Sequence, residues 1–101
     1  MFWQKNITPS KLKNNYLSPM LKRIKALPSG YSEVVYQTKR YGVTRTDFND
    51  GRSHKVYAEE LGGKNFISLN YYVTHTSEKL KPCEMPVEKV VDFLNNYKLL
   101  T

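Results

Sequence analysis

Between Ser32 and Thr74 apolar and polar residues alternate in four short runs, each bounded by turn-forming residues. This period of two restricts the chain to strands more tightly than any other feature. Ser32–Gln37 (SEVVYQ) reads as the first strand, with Thr38-Lys39 as a tight turn into Arg40–Thr46 (RYGVTRT). Asn49-Asp50-Gly51 is the clearest turn, because Asp-Gly supplies the positive φ that a hairpin needs. Arg52–Glu60 (RSHKVYAEE) follows, then Gly62-Gly63, then Asn65–Thr74 (NFISLNYYVT). Short connections between consecutive strands make a four-stranded antiparallel meander the simplest topology.

Alternation also assigns the two faces. Tyr41, Val43, Val56, Ala58, Ile67, Leu69, Tyr71 and Val73 point one way. Thr44, Lys55, Tyr57, Ser68, Asn70 and Tyr72 point the other. An apolar sheet face has to be covered. The cover is expected from the C-terminal segment, where Pro86 suits the first helical position and Glu88 the first turn. Val87, Val90, Val91, Leu94 and Tyr97 or Lys98 fall at helical spacing. The expected class is therefore α+β: a sheet with one C-terminal helix packed on one face. His75–Met85 reads as a linker crossing the sheet edge.

The 101 residues suffice for one domain, and the net charge of +7 is unevenly placed. Residues 1–30 hold Lys5, Lys11, Lys13, Lys22, Arg23 and Lys25 and no acid, whereas residues 31–101 are nearly neutral. Residues 1–30 read as a basic arm, mostly flexible, ahead of an α+β domain over 31–101. Within the arm, Leu21, Ile24 and Leu27 can share one face of a short helix closed by Pro28-Ser29-Gly30. An alternative makes Met20 the natural first residue and residues 1–19 a translated leader. A single cysteine excludes an internal disulfide, and no apolar run is long enough to span a bilayer. A cytoplasmic location is the expectation.

Chemistry-bearing groups are sparse. Cys83, in KPCEMP, is the only thiol, and a half-buried small apolar role is its ordinary use. His54, His75 and Cys83 lack zinc-site spacing, and no nucleophile elbow, P-loop or dinucleotide fingerprint is present. No metal and no cofactor are expected. The polar sheet face is different: Tyr57 and Tyr72, with Thr44, Lys55 and Asn70, form a platform of rings and hydrogen-bonding groups. Bases stack on such rings while cations hold phosphates, and Lys22, Arg23 and Lys25 of the arm add attraction.

The stretch from Leu27 to about Leu94, through AEELGG, ISLNYY and LKPCEMP, resembles a family of short bacterial proteins without an established function. Some of them carry the name peptide methionine sulfoxide reductase. That name implies a cysteine that attacks the sulfoxide and is then resolved by a thiol. Cys83 is the candidate for that role, and an external thiol would have to resolve it. The Gly-Cys-Phe-Trp and Arg-Tyr-Cys-like motifs of such reductases do not surround it. The residues favour a small binding module without enzyme activity of its own, with protein or nucleic acid as partner. An edge strand such as Ser32–Gln37 can also pair with a second copy, so the oligomeric state is left open.

Overall fold

The computed structural model describes residues 18–100. Among these residues an antiparallel sheet carries two helices on one of its faces. The elements are α1 (Pro19–Ala26), β1 (Gly30–Tyr36), β2 (Lys39–Phe48), β3 (Ser53–Glu60), β4 (Phe66–Val73), β5 (Glu78–Pro82), α2 (Val87–Asn96) and β6 (Lys98–Leu99). Their order across the sheet is β5-β4-β3-β2-β1-β6.

The first four strands form a meander, but the sheet has six strands rather than four. The fifth comes from the segment read as a linker. Glu78, Leu80 and Pro82 pair with Val73, Tyr71 and Leu69, and Thr74 closes the turn by accepting from the Ser77 amide at 3.0 Å. Five residues with two lysines resemble a solvated connection, and pairing to β4 is what makes them a strand. The sixth is two residues long and pairs with Val34 and Val35 of β1. The β1–β2 turn is also one residue earlier than expected, at Gln37-Thr38, both at positive φ (54° and 63°). That is the geometry of a two-residue turn matched to strand twist, held here without glycine. Asn49, Asp50 and Gly51 all take positive φ in the β2–β3 turn.

Pro19–Leu27 is not a free arm. The Ser18 hydroxyl caps α1 by accepting from the Leu21 amide at 3.1 Å, and Pro19 occupies the first turn. Leu27 precedes Pro28 and leaves the helix for an extended conformation. Leu21, Ile24 and Leu27 are buried in the same core as the sheet, so the packed unit begins well before residue 30. Residues 1–17, the rest of the expected arm, lie outside the described residues.

Helix α2 carries the chain across the covered face, from β5 at one edge to β6 at the other. Its buried stripe is Val90, Phe93 and Leu94, with Tyr97 just beyond. Val87, expected inward, is exposed, and Phe93 takes the central place. The reason is aromatic packing: Phe93 meets Tyr36, Tyr41 and Tyr97 at centroid distances of 5.1, 6.0 and 5.6 Å. The two helices are tied by Arg23, whose Nε donates to the Leu94 carbonyl at 2.6 Å and whose Nη2 donates to Tyr97 O. The Tyr97 hydroxyl returns a hydrogen bond to Arg23 O, and the Arg23 guanidinium lies 3.9 Å over the Tyr97 ring.

Candidate functional site

With both helices on one side, strand register decides what stands on the other. Four cross-strand rows can be followed across the uncovered face. The first runs Glu33, Gly42, Glu59, Phe66, and the second Tyr31, Thr44, Tyr57, Ser68. The third runs Thr46, Lys55, Asn70, Lys81, and the fourth Phe48, Ser53, Tyr72, Lys79. Successive rows on one face are about 6.7 Å apart. Thr44, Lys55, Tyr57, Asn70 and Tyr72, picked out from alternation, therefore share one open surface.

Tyr31, Phe48, Tyr57, Phe66 and Tyr72 are exposed at 61%, 49%, 39%, 39% and 37%. They are all the exposed aromatic residues among those described, and all five stand on this face. Tyr57 and Phe66 lean together with centroids 6.1 Å apart. Tyr31 lies across Gly42, where an added Cβ would come within 2.6 Å of its hydroxyl oxygen. Glycine leaves room there for the ring to lie flat on the sheet.

Charge on the face is segregated. Both carboxylates, Glu33 and Glu59, stand in the first row, and Glu33 is held by Arg40. Lys55, Lys81 and Lys79 stand in the third and fourth rows, which contain no acid, and they have no ion-pair partner among the described residues. Alternation from Ser32 to Thr74 did not reach Lys79 and Lys81. The signal for them was present: Glu78, Leu80 and Pro82 alternate with Lys79 and Lys81 in EKLKP. Tyr31, Phe48 and Phe66 were missed at strand ends, where the pattern is shortest.

The basic residues expected to assist are not assembled here. Lys22 and Lys25 are exposed on α1, which packs on the opposite face, and Arg23 is engaged with α2. Cys83 is half-buried just past β5. Its amide donates to Ser68 O at 2.9 Å and its Sγ accepts from Asn70 Nδ2 at 3.5 Å, which pins the strand end.

Two further polar clusters tie elements of the fold together. Asp47 accepts from Arg45 Nε and Nη2 at 3.0 and 2.7 Å and contacts His54 Nδ1 at 2.7 Å. The Arg45 fork, then the His54 contact, hold the Asp47 carboxyl well below the usual carboxylate range against its partial desolvation. Arg45 also donates to the Leu27 and Lys25 carbonyls at 2.5 and 3.2 Å, closing the end of α1. His54 is 1% exposed on the covered face, with Nε2 unpartnered, so this pair offers no approach to a substrate. Glu78 accepts from Ser18 at 2.6 Å and from the Tyr71 hydroxyl, joining β5, α1 and β4. Burial, then that bond, push the Tyr71 hydroxyl up to about 12. Among the described residues no group of three or more His, Cys, Asp or Glu is placed to hold a metal ion. No helix among them is long and apolar enough to cross a membrane.

Comparison with family models, curated proteins and solved structures returned no match.

Proposed function

We propose that the protein is a small binding module that holds its partner on the open sheet face, and that it does no chemistry of its own. One observation carries this reading: among the described residues all five exposed rings stand on the sheet face opposite the two helices, in three of its four rows. Exposing an aromatic ring to water costs the burial it would otherwise gain, and five rings left exposed on one face among charged and hydrogen-bonding groups form a surface that a partner can cover. Rings with polar tips suit that role because they bring area at little cost in side-chain entropy.

The test is capture from native lysate by the wild-type chain beside a Tyr57→Ser/Tyr72→Ser variant. Both residues are about two-fifths exposed and outside the core, so the variant should lose some sheet stability and still fold, which a cooperative thermal transition checks. The reading expects a partner recovered by the wild type to be lost or strongly depleted with the variant. Equal recovery of every partner by both chains would remove the face from consideration.

A further inference from the structure

We infer that the partner is single-stranded nucleic acid, with phosphates on Lys55, Lys79 and Lys81 and bases on Tyr57 and Tyr72. This rests on the open face being the contact surface and adds what lies on it. Lys55 and Lys81 flank Asn70 in one row, and Lys79 stands beside Tyr72 in the next. Lys79 and Lys81 are two residues apart on β5 and project to the same side, about 6.7 Å apart along the strand. Two cations at that interval follow the repeat of an extended polynucleotide backbone.

Three lysines without carboxylate partners among the described residues, in rows that contain no acid, form a local positive field that attracts an anionic partner. The acids of the face are confined to the first row. An acidic protein surface could also use both groups, but a polynucleotide presents an anion and a π-face at every residue, which is what rings set on either side of a lysine row match. Tyr57 stands one row before Lys55 and Tyr72 one row after, so rings flank the cations about 13 Å apart along the strands. Bases stack on rings so placed, while the sugar-phosphate chain crosses the lysine row. Asn70 supplies an amide in the row between the two rings, and Thr44 a hydroxyl beside Tyr57 on β2.

The unpaired state of the bases follows from the width of the face. Six strands span about 24 Å, whereas the major groove of a duplex, about 12 Å wide, admits a helix or a two-stranded ribbon. A duplex could meet this surface only through its phosphates, leaving Tyr57 and Tyr72 without stacking partners.

The experiment measures anisotropy of labelled, mixed-sequence oligonucleotides on the full chain, as single-stranded RNA, single-stranded DNA and duplex, across salt. The inference expects single strands to bind more tightly than the duplex. Neutralising three phosphates gives a log–log salt slope of about −2, or roughly an 18-fold loss between 50 and 200 mM salt, from the face alone. Lys79→Gln/Lys81→Gln should make the slope shallower by about 1.4. Tyr57→Ala and Tyr72→Ala should each weaken binding about fivefold or more with the slope unchanged. Lys22→Gln/Lys25→Gln removes the same charge from the other side and should leave the slope where it was.

An equal change from the two lysine pairs would overturn the inference, as would indifference to both tyrosines or equal affinity for duplex. Ultraviolet crosslinking of wild-type chain to the oligonucleotide gives an independent readout, expected on peptides holding Tyr57 or Tyr72. Crosslinks confined to other peptides also overturn it. If no oligonucleotide binds but Tyr57→Ser/Tyr72→Ser still loses a protein from lysate, the nucleic-acid assignment fails and the binding reading stands. If neither occurs, both fail.

Discussion

Replacing Arg23 with methionine tests whether α1 is part of the folded unit. The guanidinium donates to two carbonyls at the C-terminal end of α2, Leu94 O and Tyr97 O, and lies over the Tyr97 ring. Hydrogen bonds from a charged donor contribute about 1.5–3 kcal/mol each. The half-buried carbonyls regain some water once the fork is gone, and the methionine stem retains part of the ring contact. The loss should therefore fall at about 2–4 kcal/mol, a large share of the 5–15 kcal/mol that holds a domain of this size. In thermal unfolding that corresponds to a fall in Tm of roughly 8–25 °C. Urea unfolding should give the same ordering through a lower midpoint at an unchanged m-value. Lys22→Met and Lys25→Met, exposed on the same helix, should stay within about 0.5 kcal/mol of wild type. If Arg23→Met behaves like Lys25→Met, the clamp between the helices contributes nothing and the reasoning fails.

Phe93→Ala removes the ring at the centre of the Tyr36, Tyr41 and Tyr97 cluster and should cost about 3–5 kcal/mol, whereas Val87→Ala should cost under 1 kcal/mol, both read from denaturant midpoints. Asp47 has a folded-state pKa below its unfolded value, so its stabilisation is present above about pH 4 and is lost as acid protonates it below that. Asp47→Asn should therefore be less stable than wild type at neutral pH and show a shallower loss of stability between pH 4 and 2. Parallel curves would refute that assignment. Cys83→Ser should leave stability and open-face binding close to wild type, and the wild-type chain should not turn over a methionine sulfoxide substrate supplied with dithiothreitol; turnover abolished by Cys83→Ser would establish the reductase chemistry instead.

Much of the central sheet was legible because alternation and turn chemistry agree there. Asp50-Gly51 fixed one hairpin, and the residues on either side of it could take only one parity without burying Lys55. The same parity put Tyr57 and Tyr72 on one face before any contact was known. The edges were hard to read for a physical reason: β5 and β6 exist through pairing with β4 and β1, the alternation of β5 runs over only five residues, and β6 is too short to have one. The phase of α2 was misread because Val87, Val90 and Val91 fit one helical stripe as well as Val90, Phe93 and Leu94 fit another. Only the facing tyrosines decide between them. In α1, a run of cations without acids suggested an arm, yet Leu21, Ile24 and Leu27 outweigh it because lysine stems can stay in water while the apolar stripe is buried.

The crossing of α2 from one sheet edge to the other has a consequence for biosynthesis. Strand β1 is among the earliest elements to be translated, but the partner on its outer side, β6, is among the last. A nascent chain that has reached β5 has five of the six strands in hand and lacks the part of the lid that α2 supplies. Native packing must therefore wait until α2 and β6 have cleared the ribosome. During that interval the unshielded strands are what a chaperone or a second nascent chain would meet, so stalling between β5 and α2 should be a hazardous point in synthesis.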